Sequence, residues 1–260
     1  MPSIPFAKAS ACGNDFLVID FSYAGDDIAG LTRRLCDRHN GVGADGVEWL
    51  LPSTSADIEA RLINADGSDA EVSGNGTRCV AACIAEHSGA SSVSVQTGAG
   101  IKICDLVAQH ENNFEFKTAI GRPEIEGQIT VHAANRDTVG LKLAVGNPQF
   151  AIMVEEFPNG WQSLADAIAR TPHFPQGTNT EFVKILDRHS VEIRIYERGA
   201  GETLSSGTGS CASAVTAIHS GKCESPVRVT TPGGTQTVEW DGEITLTGPA
   251  TIVCTGQFFI

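Results

Sequence analysis

The sequence predicts an α+β protein of two similar domains, each a curved sheet wrapped around a central buried helix. Three observations predict it. The chain repeats itself at one long offset. Each repeat carries a run of small and apolar residues with no polar face. The remainder reads as short strands cut by Gly, Asp and Asn turns.

The repeat carries most weight. Gly13-Asn14 precedes Gly146-Asn147 by 133 residues, and Ser73-Gly74-Asn75-Gly76 precedes Ser206-Gly207-Thr208-Gly209 by the same distance. Arg61 precedes Arg194 by 133, in the matching stretches Arg61-Leu62-Ile63-Asn64 and Arg194-Ile195-Tyr196-Glu197. His87-Ser88-Gly89 precedes His219-Ser220-Gly221 by 132, and Val93-Ser94-Val95-Gln96-Thr97 precedes Val227-Arg228-Val229-Thr230-Thr231 by 134. Matches in one order at nearly one offset mark a duplicated unit, and so long a period excludes a short-period solenoid.

Each unit follows one grammar: a strand, a Gly-Asn turn, alternating strands, an SGxG loop, a helix, and more strands. The central helices are expected over 77–86 (TRCVAACIAE) and 210–219 (SCASAVTAIH), and a helix with no polar face is a buried one. Further helices are expected over 27–36 and 161–170. Gly121-Arg122-Pro123 punctuates the chain, giving an N-terminal domain of 1–122 and a C-terminal domain of 123–250. A last strand within 251–260 is free to complete the N-terminal domain or to pack on either.

Composition bounds function. Hydrophobic residues make up 41%, enough for a sizeable core, and the formal net charge of −13 argues against nucleic acid or an anionic membrane as partner. No apolar run reaches the length of a membrane span, and MPSIPFAKAS lacks the charged and apolar regions of a signal peptide. Eight cysteines then read as reduced, mostly buried thiols, and the expected location is the cytoplasm.

A glycine-rich turn opening a helix presents free N–H groups at the positive end of the helix dipole, which is an anion site. Facing domains would bring two such termini to one small anion, and a carboxylate fits as well as a phosphate. Neither loop is a P-loop, for no Lys-Ser or Lys-Thr follows, and neither has dinucleotide spacing. Asn14, Asn64, Asn147 and Asn179 add amides beside turns, while Glu197 suits an ammonium and Arg198 a second carboxylate. The kit suits a small-molecule amino acid.

The chain resembles the diaminopimelate epimerases, of the pyridoxal-independent amino-acid racemase family, over essentially its whole length. The motifs are ACGNDFLVID at 11–20, RHNGVGADGV at 38–47, NADGS at 64–68, SGNGTRC at 73–79, GNP at 146–148, YERGAGET at 196–203, SGTGSCA at 206–212 and TPGG at 231–234. The resemblance implies interconversion of LL- and meso-diaminopimelate with no cofactor and no metal, for lysine and cell-wall precursor synthesis. It implies that Asn14, Asn64, Asn147, Asn179, Glu197 and Arg198 hold substrate, and that Gly74, Asn75, Gly207 and Thr208 hold the reacting α-carboxylate. A homodimer is compatible with it.

The departures sit at the chemistry. The family has a cysteine at the first position of each loop, one taking the α-proton and one delivering a proton to the opposite face. Here these positions are Ser73 and Ser206, and the family's helper histidine after GNP is Gln149. A thiol titrates near ~8.5 and lower at a helix N-terminus, whereas a hydroxyl needs a partner base. Gln149 cannot be that base; Glu197 can, if within hydrogen-bond reach. Three readings stay open: a divergent epimerase with serine bases, serines replacing cysteines to trap substrate, or a homologue that isomerises another amino acid or only binds one. Cys79, Cys83 and His87 share a helix face, but small core residues explain them better than a metal stripe. Asp37-Arg38-His39 matches a structural turn of the family, and no GxSxG elbow supports Ser-His-Asp hydrolysis.

Overall fold

The computed structural model describes all 260 residues. They form two compact units, Met1–Thr118 with Gly248–Ile260, and Ala119–Thr247. The first unit contains β1 (Ser3–Ala11), β2 (Asn14–Asp20), α1 (Ile28–Cys36), β3 (Gly46–Leu51), β4 (Ile58–Asn64), β5 (Asp69–Ala70), α2 (Gly74–Ser88), β6 (Ser92–Thr97), β7 (Gly100–His110) and most of β8 (Asn113–Gly121). The second contains β9 (Glu124–Ala133), β10 (Arg136–Ala144), β11 (Pro148–Val154), α3 (Trp161–Ala169), β12 (Asn179–Asp187), β13 (Ser190–Glu197), β14 (Gly201–Thr203), α4 (Gly207–His219), β15 (Val227–Thr231) and β16 (Gly234–Asp241). The last strand, β17 (Glu243–Phe259), begins in the second unit and ends in the first.

In the first unit the strands pair in the order β7-β6-β4-β3-β2-β1-β17-β8, and β8 returns to β7. The sheet therefore closes on itself around α2, and closure removes the long unpaired edges an open sheet would expose. In the second unit the order is β16-β15-β13-β12-β11-β10-β9, around α4. The parallel pairs fall at matching places: β2 with β3 and β4 with β6, then β11 with β12 and β13 with β15. The Gly-Asn turns sit before β2 and before β11, with Gly13 at φ 85° and Gly146 at φ 72°, a left-handed conformation that costs glycine nothing.

Each unit has two cores because its sheet is buried on both faces. Along β2, Phe16 and Val18 face α2, while Leu17 and Ile19 face Leu35 and Cys36 of α1. Along β12, Val183 faces α4, while Phe182 packs with Trp161, Leu164 and Ile168 of α3. Strands buried on both sides read as unbroken apolar runs. Cys79 and Cys83 lie in the α2 core, and the His87 Nδ1 meets the Cys83 carbonyl oxygen at 2.7 Å.

The central helices begin earlier than their apolar runs suggest. The first helical bonds run from the Thr77 and Ser210 N–H groups to the Ser73 and Ser206 carbonyls. Ser73 and Ser206 are the N-caps, so the glycines after them form the first turn of each helix rather than a loop before it. The cause is the cap itself: a serine oxygen that takes an orphan N–H starts the helix even when glycines come next. α2 has 15 residues, with two glycines and an asparagine in its opening turn, and an isolated helix of that length is marginal in water. Its stability is tertiary. Val80, Ala81 and Ala82 are fully buried in the ring of strands. Ala81→Leu should cost roughly 1–3 kcal/mol by overpacking, read as a lower urea midpoint with unchanged slope.

Candidate active site

In the first unit, the Gly76 N–H donates to Ser73 Oγ at 3.1 Å and Thr77 Oγ1 donates to the Ser73 carbonyl at 2.8 Å. That leaves the N–H groups of Gly74 and Asn75 ahead of the first helical bond, free for an anion. Asn75 is 5% exposed and is locked in place: its Nδ2 donates to Asn14 Oδ1 at 2.7 Å, and the buried Arg78 donates to its Oδ1. Asn14 Nδ2 in turn donates to Asp45 Oδ2 at 3.1 Å. Arg38 bridges Asp45 and Asp15 at 2.8 and 2.7 Å, and Lys8 also meets Asp15. Burial would raise the Asp15 carboxyl, but Arg38 and Lys8 hold it below its usual range. Arg38, expected in a merely structural turn, thus anchors the amides behind the loop. Asn64 stands apart from this chain of bonds, donating to Ser68 Oγ at 3.0 Å.

In the second unit, the Gly209 N–H donates to Ser206 Oγ at 3.3 Å, and Thr208 Oγ1 lies 3.5 Å from the same oxygen. Glu197 meets this serine: its carboxylate accepts hydrogen bonds from Ser206 and from Thr203 Oγ1, the latter at 2.8 Å. Burial pushes the Glu197 carboxyl up, and the two hydroxyls offset part of the rise. Asn179 Oδ1 accepts the Arg198 N–H at 2.9 Å, which ties the start of β12 to the end of β13. The Arg198 guanidinium donates to the Gln176 carbonyl at 3.0 Å. Gln149 is fully buried, with its Nε2 donating to Asn147 Oδ1 at 2.5 Å. Gln149 Oε1 and Asn179 Nδ2 are buried with no partner, an acceptor and a donor on adjacent strands. Such atoms cost free energy unless a ligand takes them up.

Two further carboxyls lie against the loops. Glu48 of β3 and Glu181 of β12 are 133 residues apart, 3% and 0% exposed, each on the strand face turned to its central helix. A Cβ on Gly76 would collide with Glu48 Oε1, and one on Gly209 would lie 3.1 Å from Glu181 Oε1. The second glycine of each motif therefore leaves room for a carboxyl beneath it. Neither oxygen of Glu181 has a hydrogen-bond partner. Burial pushes Glu48 up to about 8, and burial followed by the nearby Glu197 charge pushes Glu181 well up. The dipole of the adjoining helix favours the anion by at most about 2 kcal/mol, less than the several kcal/mol that burying an ion costs. A glutamate inside an apolar strand gives a sequence signal only once it is seen to recur at the repeat offset.

Two like units, each a sheet around a helix capped by a serine at a glycine-rich first turn, are the scaffold of an isomerase-type enzyme, as the chain's relatives show. The chain belongs to the diaminopimelate epimerase family, whose pattern it matches over residues 6–125 and 142–253. It is 35% identical to the diaminopimelate epimerase of Pelotomaculum thermopropionicum, across 97% of this chain and 98% of that one. It is 36% identical to that of Carboxydothermus hydrogenoformans, across 98% and 99%. Among solved structures, a PhzF-family phenazine biosynthesis protein of Bacillus anthracis superposes with a TM-score of 0.74 at 15% identity, covering all of both chains. A hydroxyproline epimerase of Agrobacterium vitis does so with a TM-score of 0.69 at 16% identity, covering 99% and 91%. These two show the fold. No helix is long and apolar enough to cross a membrane.

The Glu48 carboxyl gives a stability test. Folded, it holds its proton to about pH 8, against an ordinary value of 4.5. The folded chain therefore keeps a proton that the unfolded chain has lost, and stability falls as pH rises across that window. Glu48→Gln removes the effect. Urea unfolding at pH 5 should show the variant close to the unmodified protein, and at pH 9 it should be more stable by about 2–5 kcal/mol.

Proposed function

We propose that the protein epimerises the α-carbon of diaminopimelate, interconverting its LL and meso forms in the cytoplasm, with serines in place of the family's cysteines. The observation that carries this reading is the contact between Ser206 and Glu197 at the N-terminus of α4. It supplies what a hydroxyl lacks by itself, a base within hydrogen-bond reach. The relatives of Pelotomaculum thermopropionicum and Carboxydothermus hydrogenoformans are diaminopimelate epimerases, which supports diaminopimelate as the substrate.

The chemistry balances as two proton transfers. Ser206 Oγ takes the α-proton as its own hydroxyl proton passes to the Glu197 carboxylate. The electron pair left on the α-carbon spreads into the substrate carboxylate, whose growing charge the loop N–H groups of Gly74, Asn75, Gly207 and Thr208 stabilise. Ser73 Oγ–H returns a proton to the opposite face. Asn179 Nδ2 and Gln149 Oε1, two of the unsatisfied buried atoms, are the donor and acceptor assigned to a ligand's carboxylate and ammonium. Asn14 contributes through Asn75, and Asn64, Asn147 and Arg198 are assigned to the far end of the substrate.

The readings of trapped substrate and of binding without chemistry predict no proton exchange. In deuterated water, LL-diaminopimelate should lose its α-proton signal and give the meso form. Binding without exchange, seen as a raised melting temperature alone, would overturn the reading. Glu197→Gln should lower the rate by roughly 100-fold or more while substrate still binds. Unchanged epimerisation in that variant would remove Glu197 from the chemistry.

A further inference from the structure

The two serines are not equally equipped. Ser206 has Glu197. At the repeat offset the Glu197 position of the first unit is Asn64, an amide that cannot exchange a proton usefully, and its side chain is committed to Ser68. Ser73 Oγ–H must nonetheless be replenished after each delivery, or it is left as an alkoxide. One titratable carboxyl stands at that serine's helix turn. Glu48 Oε1 and Ser73 Cβ both crowd the point where a Gly76 Cβ would stand, the latter at 3.3 Å, so the carboxyl and the serine border the same small space at the helix turn.

We propose that Glu48 is the proton partner of Ser73, a positioning residue that acts through its hydroxyl as Glu197 acts through that of Ser206. When Ser73 Oγ–H gives its proton to the substrate α-carbon, the Glu48 carboxylic acid gives its proton to Ser73 Oγ, breaking one O–H bond and forming another. Glu48 ends as carboxylate and Glu197 as carboxylic acid. In the opposite direction Ser73 takes the α-proton and Glu48 receives the displaced hydroxyl proton. Before the next turnover in the same direction, Glu197 returns its proton to water and Glu48 regains one from water.

The surroundings suit a carboxyl that waits in its neutral form. Val18 of β2 and Leu62 of β4 flank it in register, and from α2 the titratable group that feels its charge is the buried Cys79 thiol. Its upward displacement comes from burial, with no neighbouring charge contributing. Glu197, with two hydroxyls donating to it, is better placed to hold the anion. Environments that push two carboxyls apart set which is acid and which is base.

The inference rests on the reading of an α-carbon epimerase, and the test separates them. The unmodified chain, Glu48→Gln, Ser73→Cys and the double variant are compared for α-proton exchange in deuterated water with diaminopimelate and a panel of other α-amino acids. With Glu48→Gln we expect kcat/KM to fall by roughly 100-fold or more and its decline above about pH 8 to vanish, with substrate affinity changed less than about twofold. Ser73→Cys/Glu48→Gln should come within about tenfold of Ser73→Cys, because a thiol releases and regains its proton near neutral pH unaided. Full activity in Glu48→Gln, or an equal loss when the same change is made alongside Ser73→Cys, would overturn the inference and leave the epimerase reading standing. Exchange confined to another amino acid, with the same dependence on Glu48, would overturn the substrate and keep the inference. No exchange with any amino acid would overturn both.

Discussion

Each unit is organised by a helix that has no face for water. α2 and α4 are built of small and apolar residues on all sides, so each must be enclosed. In the first unit the sheet meets this by closing into a ring, and the small side chains of the helix let strands approach from every direction. The second layer, α1 or α3 on the outer face, is a consequence. A closed sheet has an outside that is also apolar, and it needs cover of its own.

Enclosing the helix also makes its N-terminus chemical. A buried helix end must have its orphan N–H groups answered by something. The cap serine answers one, and a glycine-rich first turn leaves room at the others. The amides of Asn14 and Asn75 are held by a chain of bonds that runs out to Arg38 at the surface. In the proposed function such a site receives an anion on backbone N–H groups, with the buried Arg78 holding Asn75 from behind. That suits a reaction in which negative charge must first build on a carboxylate and then leave it.

In the proposed chemistry, the same enclosure lets serine stand where the family uses cysteine. A thiol brings its own usable proton; a hydroxyl borrows one. In that proposed chemistry, buried carboxyls beside the loops are the lenders; burial pushes Glu48 up to about 8 and raises Glu197. The cost is a penalty on stability at alkaline pH, where the buried Glu48 carboxyl must ionise.

The duplication, the two central helices and the glycine-rich turns that open them are legible in the chain, because each rests on local pattern: spacing, apolar periodicity and a serine before glycines. The family is legible from motifs such as SGNGTRC and YERGAGET. What the pattern misses is of one kind. The helices start three residues before their apolar runs, since a cap's reach depends on backbone geometry rather than on hydrophobicity. Arg38 reads as a turn residue, because its partners Asp15 and Asp45 come together only through the pairing of β2 with β3. Glu48 and Glu181 are hidden inside apolar strands, and only tertiary packing decided that each would lie beneath a glycine at a helix end. The sequence determined which surfaces had to be buried; the closed sheet decided which polar groups were buried with them, because contact across strands is set by register and not by distance along the chain.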